Sequence, residues 1–351
     1  MQDEIAAAVV RQLQVKLLGA APTAKAIDPT AFALILRGRF LAAQGTAASR
    51  VQAIDLFKQA LAIDPHAVRA QTALAGAYIS QASNGERPAA EGRRLAREAV
   101  NDALASDPDD ALSLSLLGWM AMNYDNDFGA AAPYFGRALA REPGNVNVLG
   151  NAAMFVQNLG RLNEAIAAMQ YQSAHDPANP RVPFNLATTY YYAGQWDQAI
   201  AAARTVLTMS PARTTIHATM AMALLGKGDA TGALAAAQAE PSEGSRLPVL
   251  AMVYHALGRR NESDSALATM TTRYGNSDSY SVASVLAYRG EADKAFQSLD
   301  RMQTNGGLAY IAVDPAFNKL HHDPRWLPLL RKVGKAPDQL AAIQFKLAVP
   351  R

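Results

Sequence analysis

Along this chain, short apolar bursts end again and again on a polar residue followed by proline. "ALAIDP" at 60–65 comes first, then "ALASDP" at 103–108, "ALAREP" at 138–143, "QSAHDP" at 172–177 and "VLTMSP" at 206–211. Proline has no backbone N–H and its ring clashes with the preceding turn, so each burst reads as the end of a helix. The intervals from Pro65 to Pro108, Pro143, Pro177 and Pro211 are 43, 35, 34 and 34 residues. A period near 34 predicts an array of helical repeats. The longer first interval predicts an insertion, supplied by the turn-forming stretch "SQASNGERPA" at 80–89.

Each period holds two amphipathic runs around a glycine. Ala153, Gly160, Ala165 and Met169 precede Pro177, and Ala187, Gly194, Ala199 and Ala203 stand 34 residues later, before Pro211. Small residues let antiparallel helices approach, and glycine serves the tight connection. The same order recurs more loosely in "MALLGKGDATGALAAA" (222–237), "YHALGRRNESDSALATM" (254–270) and "LAYRGEADKAFQSLDRM" (286–302). The pattern therefore predicts about seven to eight helical pairs over 29–303, regular over 29–211 and degenerate over 212–303.

Two flanking pieces complete the chain. Residues 1–20 place Ile5, Val9, Leu13, Leu17 and Leu18 on one stripe closed by Gly19, an amphipathic helix that caps the array or ends a preceding domain. Residues 304–351 predict short helices broken by Pro324 and Pro337, with Phe317, Leu320, Trp326, Leu329 and Leu330 covering the last repeat. The expected fold is all-α, a solenoid of helical hairpins with a capping helix at each end.

The pattern resembles the tetratricopeptide repeat. Ala53, Phe57, Ala60 and Pro65 fit one copy of its consensus; Ala131, Phe135, Ala138 and Pro143 fit a second; Tyr190, Ala199 and Pro211 fit a third; and Leu74, Ala75 and Tyr78 supply the first helix of the repeat with the insertion. Together "QDEIAAAVVRQLQVKLLG", "AFALILRGRFL" and "AFNKLHHDPRWLPLLRKVG" also resemble the C-terminal repeat region of bacterial multidomain signalling proteins. In those, a winged-helix regulator, a nucleotide cyclase or a kinase precedes the repeats.

The resemblance implies a right-handed superhelix whose first helices line a concave groove for a protein or peptide partner. Carried over by position, the groove residues are Asn147, Asn151, Met154, Gln157 and Asn158 in one unit, and Arg181, Phe184, Asn185, Thr188, Tyr191 and Tyr192 in the next. Asn151 and Asn185 lie 34 residues apart, so they would form a short ladder whose carboxamides can both donate to and accept from a peptide backbone. Arg181 is the only clear groove cation in these two units, which argues against the carboxylate clamp of chaperone-binding relatives.

Charge and chemistry narrow the function. A formal charge of +3 from 33 basic and 30 acidic residues is too balanced to point to nucleic acid, and Arg93, Arg94 and Arg97 read as a solvated helix face beside Glu91 and Glu98. The absence of cysteine excludes disulfides, thiolate metal sites and cysteine nucleophiles. No apolar stretch reaches the roughly 18 residues of a membrane span, and the acidic start "MQDE" is unlike a signal peptide. The chain reads as soluble and cytoplasmic; the resemblance leaves open the periplasmic portion of a membrane-anchored protein.

Adjacent His321 and His322 would point about 100° apart on a helix, an awkward geometry for one metal. "NGG" at 305–307 lacks the spacing and lysine of a phosphate loop, and no nucleophile elbow is present. No catalytic residue, metal or cofactor is therefore expected. The expected function is a non-enzymatic protein-interaction module, with a self-associating scaffold (a homo-oligomer) or a small-molecule sensor using the tyrosine-rich groove as alternatives.

Overall fold

A computed structural model describes residues 28–84, 86–274, 279–302, 308 and 310–350. The helix expected over 3–18 and the "NGG" at 305–307 lie outside them. The chain divides into two compact units, residues 1–106 and 107–351, each taken by itself below.

The described part of the first unit is two hairpins, α1 (Pro29–Ala43) with α2 (Ala47–Ile63) and α3 (Val68–Ser83) with α4 (Ala89–Ser106). Gly38 sits where α1 crosses α2: a Cβ there would stand 2.5 Å from the Phe57 ring, so only glycine permits the crossing. Asp64 ends α2 with an extended backbone, φ −130°, the conformation that a following proline imposes. The expected insertion is only partly a loop. Residues 80–83 continue α3, with the Ser80 hydroxyl donating to the Gly76 carbonyl at 2.9 Å. Beyond them, Glu86 is held by buried Arg50, whose Nε donates to its carboxylate at 2.8 Å.

The second unit continues with six hairpins: α5 (Ala111–Asn123) and α6 (Phe128–Arg141), α7 (Val146–Asn158) and α8 (Leu162–His175), α9 (Arg181–Tyr192) and α10 (Trp196–Met209), α11 (Ile216–Gly226) and α12 (Ala230–Ala239), α13 (Glu243–Ala256) and α14 (Arg260–Tyr274), and α15 (Ser279–Arg289) and α16 (Ala292–Asp300). Among the described residues there are thus eight hairpins and no strand. The first helices of neighbouring hairpins also touch, α5 with α7, α9 with α11, α11 with α13 and α13 with α15, and α7 meets α9 through the hydrogen bond from Thr189 to Gln157, which makes them one wall.

Two features of the 34-residue period explain the regularity. Ala131, Ala165, Ala199 and Ala233 are spaced by 34 and have no exposed surface, so each second helix presents a methyl where its partner crosses. Asn126, Gly160, Gly194 and Gly228 share the same spacing and all adopt positive φ, 53°, 79°, 68° and 86°, to turn the first helix into the second. Asparagine tolerates this left-handed backbone better than other residues with a side chain. Glu142, Asp176 and Ser210 end their helices at φ −135°, −140° and −147°, each before a proline.

A further stop, unremarked in the sequence, is Pro241. The preceding Glu240 is fully buried, and its carboxylate accepts from the backbone N–H of Thr215 at 2.9 Å and of Ala218 at 3.3 Å. It thereby caps the start of α11, whose own N-cap side chain makes no such bond.

Candidate functional site: the inner wall and the C-terminal strap

After α16 the chain forms a 3₁₀ turn (Pro315–Leu320), α17 (Trp326–Lys332), α18 (Pro337–Ala341) and an extended tail. Phe317, Leu320, Trp326, Leu329 and Leu330 join a core with Val282, Leu286, Phe296 and Leu299 of the last hairpin. A cap alone, however, does not describe this segment. It runs back across the inner wall to the first hairpins of the same unit, and we call it the strap.

Three sets of contacts hold the strap. Midway, the Asp314 carboxylate accepts from the hydroxyls of Tyr191 (3.2 Å, on α9) and Tyr280 (2.8 Å, on α15) and from the Ala316 N–H (3.0 Å). Burial raises the Asp314 pKa above its ordinary value, with these three hydrogen bonds opposing the shift. Burial, followed by the Asp314 charge, pushes the hydroxyls of Tyr191, Tyr192 and Tyr280 well above theirs. Beside this pin, the Tyr192 and Tyr310 rings stack at 5.7 Å.

Farther along, Asn126 Nδ2 donates to the Val333 carbonyl at 3.0 Å, and Arg161 Nη1 to the Phe345 carbonyl at 2.6 Å. At the end, the Phe345 ring lies 5.1 Å from Phe155 and 6.4 Å from Phe135, and Leu340 and Leu347 are buried in the same cluster. The tail's alternation Ile343, Phe345, Leu347 and Val349, with Gln344, Lys346 and Ala348 exposed between them, is the period of extended chain laid on an apolar surface.

The expected groove residues fall into three groups. Asn151 and Asn158 are buried between first helices: Asn151 Nδ2 donates to Ser115 Oγ at 3.1 Å, and Asn158 Nδ2 to the Met154 carbonyl at 3.0 Å. Gln157 is likewise buried and accepts from Thr189 Oγ1 at 2.5 Å. Asn151 therefore serves the joint between α5 and α7, while Asn185 is half-buried, so the two do not form an open row of carboxamides. Tyr191 and Tyr192 face the strap. The open remainder is Asn147 and Arg181, both exposed, with half-buried Met154, Phe184, Asn185 and Thr188. There the Arg213 guanidinium lies 4.6 Å from the centroid of the Phe184 ring.

Sequence reasoning missed Asn126, Asp314 and Arg161. Asn126 carried a signal, since it stands 34 residues before Gly160, where the period calls for glycine. Asn126→Gly keeps the turn and removes only the bond to Val333. Hydrogen exchange of the strap amides around 333–349 is expected to quicken about fivefold, the equivalent of ~1 kcal/mol, with little change in the unit's melting temperature. Unchanged exchange would show that Asn126 does not hold the strap.

Sequence models described as tetratricopeptide repeat match residues 124–182, 159–206 and 184–246. Residues 124–246 carry tetratricopeptide repeats. Among solved structures, the Cut9–Hcn1 hetero-tetramer of the APC/C is similar with a TM-score of 0.56 at 15% identity, over 86% of this chain and 55% of that one. Human IFIT1, solved as a dimer with m7Gppp-AAAA, gives 0.54 at 14% identity, over 84% and 75%. A tetratricopeptide repeat protein from Parabacteroides merdae ATCC 43184 gives 0.47 at 12%, over 75% and 100%. At these identities the likeness is one of fold. The comparison with curated proteins gives no match.

Repeats of this kind make protein–protein interaction modules. Among the described residues, no three metal-ligating side chains gather into a group, and no helix is long and apolar enough to cross a membrane.

Proposed function

We propose that the tetratricopeptide array binds an extended segment of a partner protein along the open part of its inner wall, and that it is the regulatory part of a bacterial signalling or transcription-regulating protein. The observation that carries the first reading is the partly exposed patch at the start of α9, where Arg213 lies over the Phe184 ring. It combines a cation (Arg181), an aromatic face (Phe184) and adaptable hydrogen-bonding groups (Asn185, Thr188), flanked by Asn147 and Met154 of α7. Such a mix suits a peptide backbone with one acidic and one apolar side chain. The second reading is supported by the likeness of the flanking sequences to those of repeat-bearing signalling proteins.

Selection from a displayed random-peptide library tests the patch. The wild-type chain is expected to enrich an extended motif, and a triple variant Arg181→Ala, Phe184→Ala, Asn185→Ala to weaken the selected peptides by at least about tenfold. Failure to enrich any motif, or undiminished binding by the variant, overturns the assignment. Binding acts as a signal only if the partner favours one arrangement of the strap over another. Exchange rates of the strap amides with and without the selected peptide read that difference.

A further inference from the structure

Where the strap crosses the turn between α7 and α8 it leaves a cleft of about 850 Å3. One wall is Leu159, Gly160 and Arg161 of the turn. The other comes from the strap, chiefly Trp326, Leu330, Leu340, Ile343 and Phe345. The volume falls in the range of pockets that enclose small organic ligands, and the lining is mostly apolar.

One residue of this lining is out of place. Lys335 is only 1% exposed. Its ammonium rests against the Phe128 ring, 2.9 Å from the centroid, and among the described residues it has no carboxylate and no oxygen acceptor. A ring face offsets part of the desolvation of a cation but does not serve three N–H donors. Burial holds the Lys335 pKa down to about 7, with no nearby acid to raise it.

The other ionisable groups of the lining are already engaged or neutral. Arg161 is paired with Glu164 through Nε at 2.7 Å and donates to the Phe345 carbonyl. His321 lies against Trp326, ring centroids 5.1 Å apart, with its pKa lowered by burial and by neighbouring His322. A buried amine with no acid beside it, at the edge of an apolar cleft, is chemically suited to pair with the carboxylate of a ligand.

We propose that this cleft is a binding site for a small amphiphilic carboxylate, a medium-chain fatty acid in kind, whose acyl body packs among Trp326, Leu330, Leu340 and Ile343 and whose carboxylate pairs with Lys335. The site is separate from the peptide patch on α9. Because its two walls belong to the repeats and to the strap, the ligand fastens one to the other. Occupancy also requires Lys335 to be protonated, so at pH 8 the complex takes up a proton as it forms, Lys-NH2 + H+ becoming Lys-NH3+ beside the carboxylate.

Titration calorimetry of the full chain with decanoate at pH 8, in two buffers of different ionisation heat, tests the site. The expected result is saturable one-to-one binding below about 1 mM with uptake approaching one proton, and no comparable binding of decanol. Lys335→Met, which relieves a buried charge and should fold, is expected to weaken decanoate at least about tenfold and to abolish the proton uptake. Leu340→Trp, which fills the cleft and keeps the amine, should also block binding. If Lys335→Met is poorly folded, the 13Cε resonance of Lys335 in the wild-type chain decides: its titration midpoint must move up with decanoate. No saturable binding, equal binding of decanol, an unmoved midpoint, or a folded Lys335→Met with wild-type affinity each overturns the proposal.

Discussion

Phe155→Ala is expected to cost the 107–351 unit about 3–5 kcal/mol, the usual range for emptying a fully buried aromatic site. Phe155 has no exposed surface and sits among three rings, 5.0 Å from Phe135, 5.7 Å from Phe128 and 5.1 Å from Phe345. Phe128 and Phe135 belong to α6 and Phe345 to the strap, so one truncation loosens the α6 to α7 joint and the far end of the strap together. Trp119, Trp196 and Trp326 are the only tryptophans and all lie in this unit. Urea unfolding followed by their fluorescence therefore reads it selectively.

Phe345→Ala should cost less, because that ring is half-buried. In the double variant the losses should fall short of their sum, since each removes the other's partner. A loss below about 1 kcal/mol for Phe155→Ala, or strict additivity, would show that the strap is not packed on these rings.

The array was readable because its constraints are local. A helix that must stop before proline, a methyl where two helices cross and a glycine where φ is positive leave marks at fixed spacing, and Ala131 to Ala233 keep that spacing over 102 residues and Gly160 to Gly228 over 68. Asn126 escaped notice because asparagine meets the same backbone demand without looking like glycine. Pro241 escaped because its interval from Pro211 is 30 residues rather than 34.

The site was readable only in part, for a physical reason. Position in a repeat says which way a side chain points but not what another segment of the chain places in front of it. Tyr191 and Tyr192 do point inward, where they meet Asp314 and Tyr310, more than 115 residues later in sequence. Asn151 and Asn158 lie close enough to the neighbouring first helix to be consumed by Ser115 and Met122. The strap's own mark, apolar residues at every second position from Ile343 to Val349, was present but stood beside helical runs that invited a 3.6-residue reading.

Stability of the 107–351 unit should rise between pH 7 and pH 10, and Lys335→Met should flatten that rise. The folded-state pKa of Lys335 is about 7, against 10.5 for the group in its ordinary setting. When the folded pKa is the lower one, the unfolded chain holds more protons throughout the interval between them, so the free energy of unfolding increases with pH there. At ~1.4 kcal/mol per pH unit, the whole interval between the two pKa values is worth on the order of 5 kcal/mol. Below pH 7 both states are protonated and the folded state bears the full cost of the buried charge. Lys335→Met should accordingly be more stable than wild type at pH 7 and converge with it toward pH 10.

Other displaced groups shape the profile in both proteins alike. Asp314, with its raised folded pKa, favours folding most in acid and loses that contribution as pH climbs above the ordinary carboxylate range. His255 and His321, lowered from 6.5, act below pH 7. Above pH 10 the sign reverses: the unfolded chain releases its tyrosine protons before folded Tyr191, Tyr192 and Tyr280 do, and stability falls. Urea midpoints of wild type and Lys335→Met at pH 6.5, 8 and 9.5 are enough to follow the slope. Parallel slopes for the two proteins would mean that the Lys335 ammonium gains an acceptor on folding, and the case for an unpaired amine at the cleft would fail with them.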